Sequence, residues 1–205
     1  MPEFTPIPPS DLLLDAENPR RPDPNLGQHE VLQEIAQDQG KKLQALATDI
    51  LRRGLDPTSL PIVTPLGDDL GRYLVLEGNR RLTALRALEN PEFLVDVIPK
   101  AMLAAMRRLS KEYHESAPVE SVQCAVFADR EDANYWIELR HTGENGGVGV
   151  VTWDSDEKAR FKSRGGTPPA HIQVLDFLEK RGDIKPETRL CPTRSVRLGG
   201  LSCVS

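Results

Sequence analysis

An apolar run that meets a glycine and then turns into a leucine-spaced segment constrains this chain more than anything else in it. Tyr73-Leu74-Val75-Leu76 is followed by Glu77-Gly78-Asn79, and from Arg80 to Glu89 the residues Leu82, Leu85 and Leu88 recur at helical spacing until Asn90-Pro91 ends the pattern. The order is strand, glycine turn, helix. Glycine lets the backbone turn tightly there and brings the first free N–H groups of the helix towards a ligand. A helix start carries partial positive charge, so the ligand it favours is an anion, phosphate above all, and Arg80 and Arg81 add forked donors. Without a ligand, two exposed cations in a first turn oppose the helix dipole by roughly 0.3–1 kcal/mol each. The alternative is that both arginines pair with surface carboxylates.

The flanking segments build a domain around this turn. Leu60-Pro61-Ile62-Val63-Thr64 is short and β-branched, and Gly67-Asp68-Asp69-Leu70-Gly71 separates it from Tyr73–Leu76, so the two runs predict a β-hairpin. Upstream, Val31, Leu32 and Ile35, then Leu43, Leu46, Ala47, Ile50 and Leu51, predict two helical pieces divided by Gly40, the second stopped by Gly54. Downstream, Phe93–Ile98 reads as a strand, Lys100–Glu115 as an amphipathic helix with a basic face of Arg107, Arg108 and Lys111, and Val122–Phe127 as a strand. Asp129 can cap a helix over about Arg130–His141, after which Gly143 to Gly149 breaks the chain. Two further helices are expected over about Ser155–Ser163 and Pro169–Arg181.

The ends read differently. Seven prolines among the first 24 residues keep that segment extended, an arm over residues 1–27. Residues 191–205, rich in Arg, Gly, Ser and Cys without amphipathic pattern, read as a disordered tail. With 205 residues the chain can bury one good core with a helical appendage.

Composition narrows the function classes. No apolar run approaches a bilayer span, and the amino terminus lacks a basic stretch followed by an apolar block, so the expected location is the cytoplasm with no membrane partner. Cys124, Cys191 and Cys203 are too scattered for a disulfide framework or a zinc site, and His29, His114 and His171 lack metal-ligand spacing. A net charge of -5 argues against a histone-like attraction to nucleic acid over the whole surface. Trp136 and Trp153 are expected to pack inside rather than stack on bases.

Glu77-Gly78-Asn79-Arg80-Arg81-Leu82-Thr83-Ala84 resembles the Gly-Glu-Arg-Arg box of ParB N-terminal domains, preceded at the usual interval by Gly54-Leu55 and Pro61-Ile62-Val63. Asp15-Ala16-Glu17-Asn18-Pro19-Arg20 resembles the asparagine-proline-arginine segment with which many such domains begin. The resemblance covers about Leu13 to Phe127. It implies the ParB/sulfiredoxin-like α+β class, a small mixed sheet flanked by helices over residues 28–128, with a helical extension over 129–190. It also implies a nucleoside triphosphate ligand, CTP or ATP, with Mg²⁺. Carried over by position, Gly78, Asn79, Arg80 and Arg81 would hold phosphates. Asn18, Arg20, Gly54, Pro61, Ile62 and Val63 would border the rest of the nucleotide. Sulfiredoxin places its catalytic cysteine where this chain has Asn79, so sulfinic acid reduction is not implied.

Glu77 departs from the partition proteins, whose residue before the glycine is usually small, and resembles the acidic residue of nuclease-like branches. A carboxylate there can hold Mg²⁺ or orient a water, or simply pair with Arg80. The segment Ile137-Glu138-Leu139-Arg140-His141 loosely resembles the later phosphate-contacting segment of the family. Arg140 and His141 could complete the triphosphate pocket with Glu138 beside the nucleotide, or His141 could serve as acid or base, while the plain alternative is a cationic helix end that needs no ligand. Three functions follow as expectations: a nucleotide-binding switch or slow NTPase in a DNA-associated process; a Mg²⁺-dependent DNA nuclease; or a non-enzymatic module for DNA, a partner or a second copy of the chain.

Overall fold

Five short strands form one sheet in the order β1-β5-β3-β4-β2. The computed structural model describes residues 1–16, 27–116, 118–164 and 166–185; Asn18, Arg20 and the tail at 191–205 lie outside them. The strands are β1 (Glu3–Ile7), β2 (Leu12–Leu14), β3 (Ile62–Pro65), β4 (Tyr73–Glu77) and β5 (Val122–Val126), and the first unit adds helices α1 (Gln28–Gln39), α2 (Lys41–Arg53), α3 (Asn79–Glu89), α4 (Lys100–Glu115) and α5 (Arg130–His141). The expected hairpin is present, with β3 antiparallel to β4, while β3 runs parallel to β5. This is the mixed α+β class that the sequence predicts.

Because side chains alternate along a strand, the sheet buries two faces against two different partners. Val63, Val75 and Cys124 join Leu12, Leu14 and the apolar sides of α1 to α4 in the main core. Ile62, Leu76 and Ala125 point the other way, where Phe127 and Ala133 close a smaller cluster with Ile137 against it. Helix α3 runs between sheet and helices and is buried along most of its length, from Asn79 to Leu88.

Four expectations need correction, three of them in the first unit's architecture and one at the tryptophans. Residues 1–27 are not a free arm throughout: β1 pairs antiparallel with β5 and β2 pairs parallel with β4, burying Ile7, Leu12 and Leu14. Extended backbone is what a strand needs, and Pro6 is tolerated because β1 is an edge. Phe93–Ile98 forms no strand. Asn90 caps a 3₁₀ turn over Pro91–Leu94 by accepting from Glu92 N–H, and Phe93, Leu94 and Ile98 are buried from that turn and the residues after it. The division falls after Thr142 rather than near residue 128, because Ala133 and Ile137 hold α5 onto the sheet.

The second unit begins at Gly143. Asp154 caps α6 (Ser155–Lys162) with a capping box, α7 (Ala170–Lys180) follows, and Arg160 pairs with Asp176 between them. Neither tryptophan is buried. Trp136 is 48% exposed on the outer side of α5, edge-to-face with Tyr135, and Trp153 is 45% exposed against Phe161. Among the described residues no helix is long and apolar enough to cross a membrane.

Candidate anion site at the start of helix α3

Strand β4 delivers Glu77 to its end, and Gly78 turns the chain with φ 108° and ψ 7°. A Cβ at that position would meet Arg81 Nη2 and Pro61 Cβ, both at 3.2 Å, so the glycine is required by backbone angle and favoured by the tight space. The carbonyl of Gly78 accepts from the amides of Arg81 and Leu82 at 2.9 and 3.0 Å. No side chain caps the first turn.

Asn79 occupies the first helical position and is only 8% exposed. Its Oδ1 accepts from the Asp15 amide at 3.1 Å, whereas its Nδ2 is buried without a hydrogen-bond partner among the described residues. Asp15, at the end of β2, is itself buried and takes two hydrogen bonds from the Arg130 guanidinium at 2.8 and 2.9 Å. Three elements distant in sequence thus meet under the turn. Neither Arg130 nor Asp15's carboxylate stands out in the sequence as part of a site; only the asparagine-proline-arginine motif that starts at Asp15 hinted at this corner.

Arg81 is the least expected feature. Its side chain is 14% exposed, and its nearest charged partner, Glu77 Oε1, stands 3.8 Å away. Among the described residues its guanidinium makes no hydrogen bond to protein. Burial pushes its pKa below the ordinary arginine value; Glu77 counteracts that, and Arg140 adds to the fall. The guanidinium lines an open groove of about 560 Å³, walled by Leu55, Asp56, Ser59 and Pro61 on one side and Ser121, Val122 and Gln123 on the other. Asp56 is held below its usual carboxylate pKa chiefly by the Thr58 hydroxyl and amide, with a smaller contribution from Arg81.

Glu77 bridges the turn to α5. Its Oε2 is 2.9 Å from His141 Nε2, so the residues expected to be catalytic do meet. Arg140 donates to the Leu60 carbonyl at 3.0 Å, fixing the end of α5 against the groove wall, and Arg80 stands exposed at the tip. The other expected residues are placed differently. Pro61 lines the groove, but Ile62 and Val63 are buried in the two apolar clusters, Gly54 is the exposed stop of α2, and Glu138 is exposed on α5. Of the groove walls, Leu55 belongs to the Gly54-Leu55 motif, whereas Asp56 and Ser121–Gln123 carried no site signal in the sequence. Among the described residues no three His, Cys, Asp or Glu side chains converge to hold a metal.

No family model matches the chain, and no curated protein matches it. Among solved structures, the chain is similar to a C-terminally truncated chromosome-partitioning protein ParB from Caulobacter crescentus, crystallised with CTP-gamma-S. The likeness covers 91% of this chain and 68% of that one at 15% identity, with a TM-score of 0.37. At that level the chemistry of the site rests on its own geometry.

Proposed function

We propose that the first unit binds a nucleoside triphosphate, CTP or ATP, with its phosphates on the Gly78–Arg81 turn and the remainder along the groove beside Arg81, and that binding acts as a switch. The observation that carries this is Arg81: a mostly buried guanidinium with no hydrogen bond among the described residues, facing open space beside an uncapped helix start. Leaving a cation so poorly compensated is costly, and an oligophosphate is the ligand whose charge and oxygen geometry relieve it. A groove of this volume suits a nucleoside. By the resemblance of its motifs to partition proteins, DNA is the downstream partner.

The Glu77–His141 pair supports slow turnover rather than nuclease chemistry. A neutral imidazole that donates to Glu77 through Nε2 keeps its lone pair on Nδ1, which makes His141 a base that Glu77 orients. The donor set does not fit a catalytic Mg²⁺, since both oxygens of Glu77 already face donors, Arg81 on Oε1 and His141 on Oε2.

The test is a thermal-shift panel of the four ribonucleoside triphosphates on the full chain. CTP or ATP raises the melting temperature, and Arg81→Ala abolishes the rise. Absence of a shift with all four, at millimolar concentration, removes the proposal.

A further inference from the structure

At the α3 turn, the oxygens that could ligate a metal are already engaged, while the groups left over are donors. Asn79 Oδ1 is taken by the Asp15 amide, and the Gly78 carbonyl by two helix amides. Glu77 Oε2 is taken by His141, and Glu77 Oε1 faces Arg81. The Thr83 hydroxyl donates to the Asn79 carbonyl and so leaves it, too, with a partner. On the other side stand, among the described residues, the buried Asn79 Nδ2 with no partner, the Arg81 guanidinium with no acidic partner nearer than 3.8 Å, the exposed Arg80 and an uncapped first helical turn. A Mg²⁺ ion wants oxygen ligands in an octahedron and gives up water reluctantly. Here it would find few free oxygens, and it would sit among guanidinium groups at the positive end of a helix.

We infer that this site takes its ligand as the metal-free oligophosphate anion and discriminates against the magnesium complex. The inference rests on the oligophosphate reading above. It follows from charge: Mg²⁺ neutralises the oxygens that Arg80, Arg81 and the Asn79 amide require, so the complexed nucleotide offers these donors less. It also follows that the recognition element is the phosphate chain itself, which inorganic tripolyphosphate reproduces without a nucleoside.

Calorimetric titration of the full chain with CTP, ATP and inorganic tripolyphosphate, each in EDTA and in excess Mg²⁺, tests this. The expected result is tighter association in EDTA than in Mg²⁺, for tripolyphosphate as well as for a nucleotide. Glu77→Gln, which removes the carboxylate beside Arg81 and keeps its shape, tightens the EDTA affinity. Equal or weaker binding in EDTA than in Mg²⁺, or a Mg²⁺-dependent affinity that Glu77→Gln abolishes, overturns the inference while the nucleotide reading survives. No binding of any of the three in either buffer overturns both.

Discussion

At the scale of single residues, Gly78 and Arg81 divide the site between shape and charge. Gly78→Ala forces a Cβ into a backbone at φ 108° and against Pro61, which costs roughly 1–3 kcal/mol and is read as a lowered urea midpoint with an unchanged slope. Arg81→Ala acts in the opposite sense on the free protein. Removing a poorly compensated, mostly buried cation leaves the melting temperature without ligand unchanged or raised, while affinity for triphosphate falls by about 1.5–3 kcal/mol, the range for a charge-assisted hydrogen bond. His141→Ala separates binding from turnover: it removes the base and leaves Arg80, Arg81 and Asn79 in place, so phosphate release slows while the ligand-induced thermal shift persists.

At the scale of elements, the turn is held from beneath by a clamp between β2, α3 and α5. The Asp15 amide bonds Asn79 on α3, and the Asp15 carboxylate holds Arg130 on α5. Asp15 is buried while Arg130 is 31% exposed, so breaking the pair costs less than a fully buried one. Asp15→Ala is expected to cost about 2 kcal/mol, against the 3–5 of a fully buried pair. It also lowers triphosphate affinity, because the Asp15 amide that holds Asn79 stays in place but loses its tie to α5. Denaturant unfolding combined with titration checks both, and unchanged affinity in a destabilised variant would show that the clamp is structural alone. Helix α3 is the other shared element. Leu85, 1% exposed, lies in the main core, and Leu85→Ala costs about 2–5 kcal/mol by transfer and cavity.

At the scale of the whole molecule, the sheet's main face buries Cys124 completely, and burial pushes its thiol pKa from about 9 up to about 11. The folded thiol therefore keeps a proton that the unfolded one has lost. That stability is fully present below pH 9 and is lost as pH rises to 11, on the order of 3 kcal/mol for full burial. Tyr113, also raised chiefly by burial, works in the same direction. Unfolding free energy measured from pH 8 to 11 should fall, and Cys124→Ala should flatten part of the slope. The same burial makes the thiol unreactive towards alkylating agents at neutral pH in the folded protein.

What could be read without coordinates is what neighbouring residues dictate to one another. The β3–β4 hairpin, the glycine turn, the α3 helix from the Gly78 turn, the stop at Gly54 and the Asp129 cap follow from spacing, turn chemistry and capping within a few residues. Tertiary structure decided everything that depends on partners distant in the chain. It recruited β1 and β2 into the sheet, kept Phe93–Ile98 out of it, joined α5 to the first unit, and left Trp136 on the surface. It also set Arg81 in a groove whose far wall is Ser121–Gln123, some forty residues away in sequence. The spacing of residues names which side chains stand at a helix tip, but whether a cation there is solvated or left wanting an anion depends on burial and on which acceptors fold within reach, and those are properties of the assembled chain.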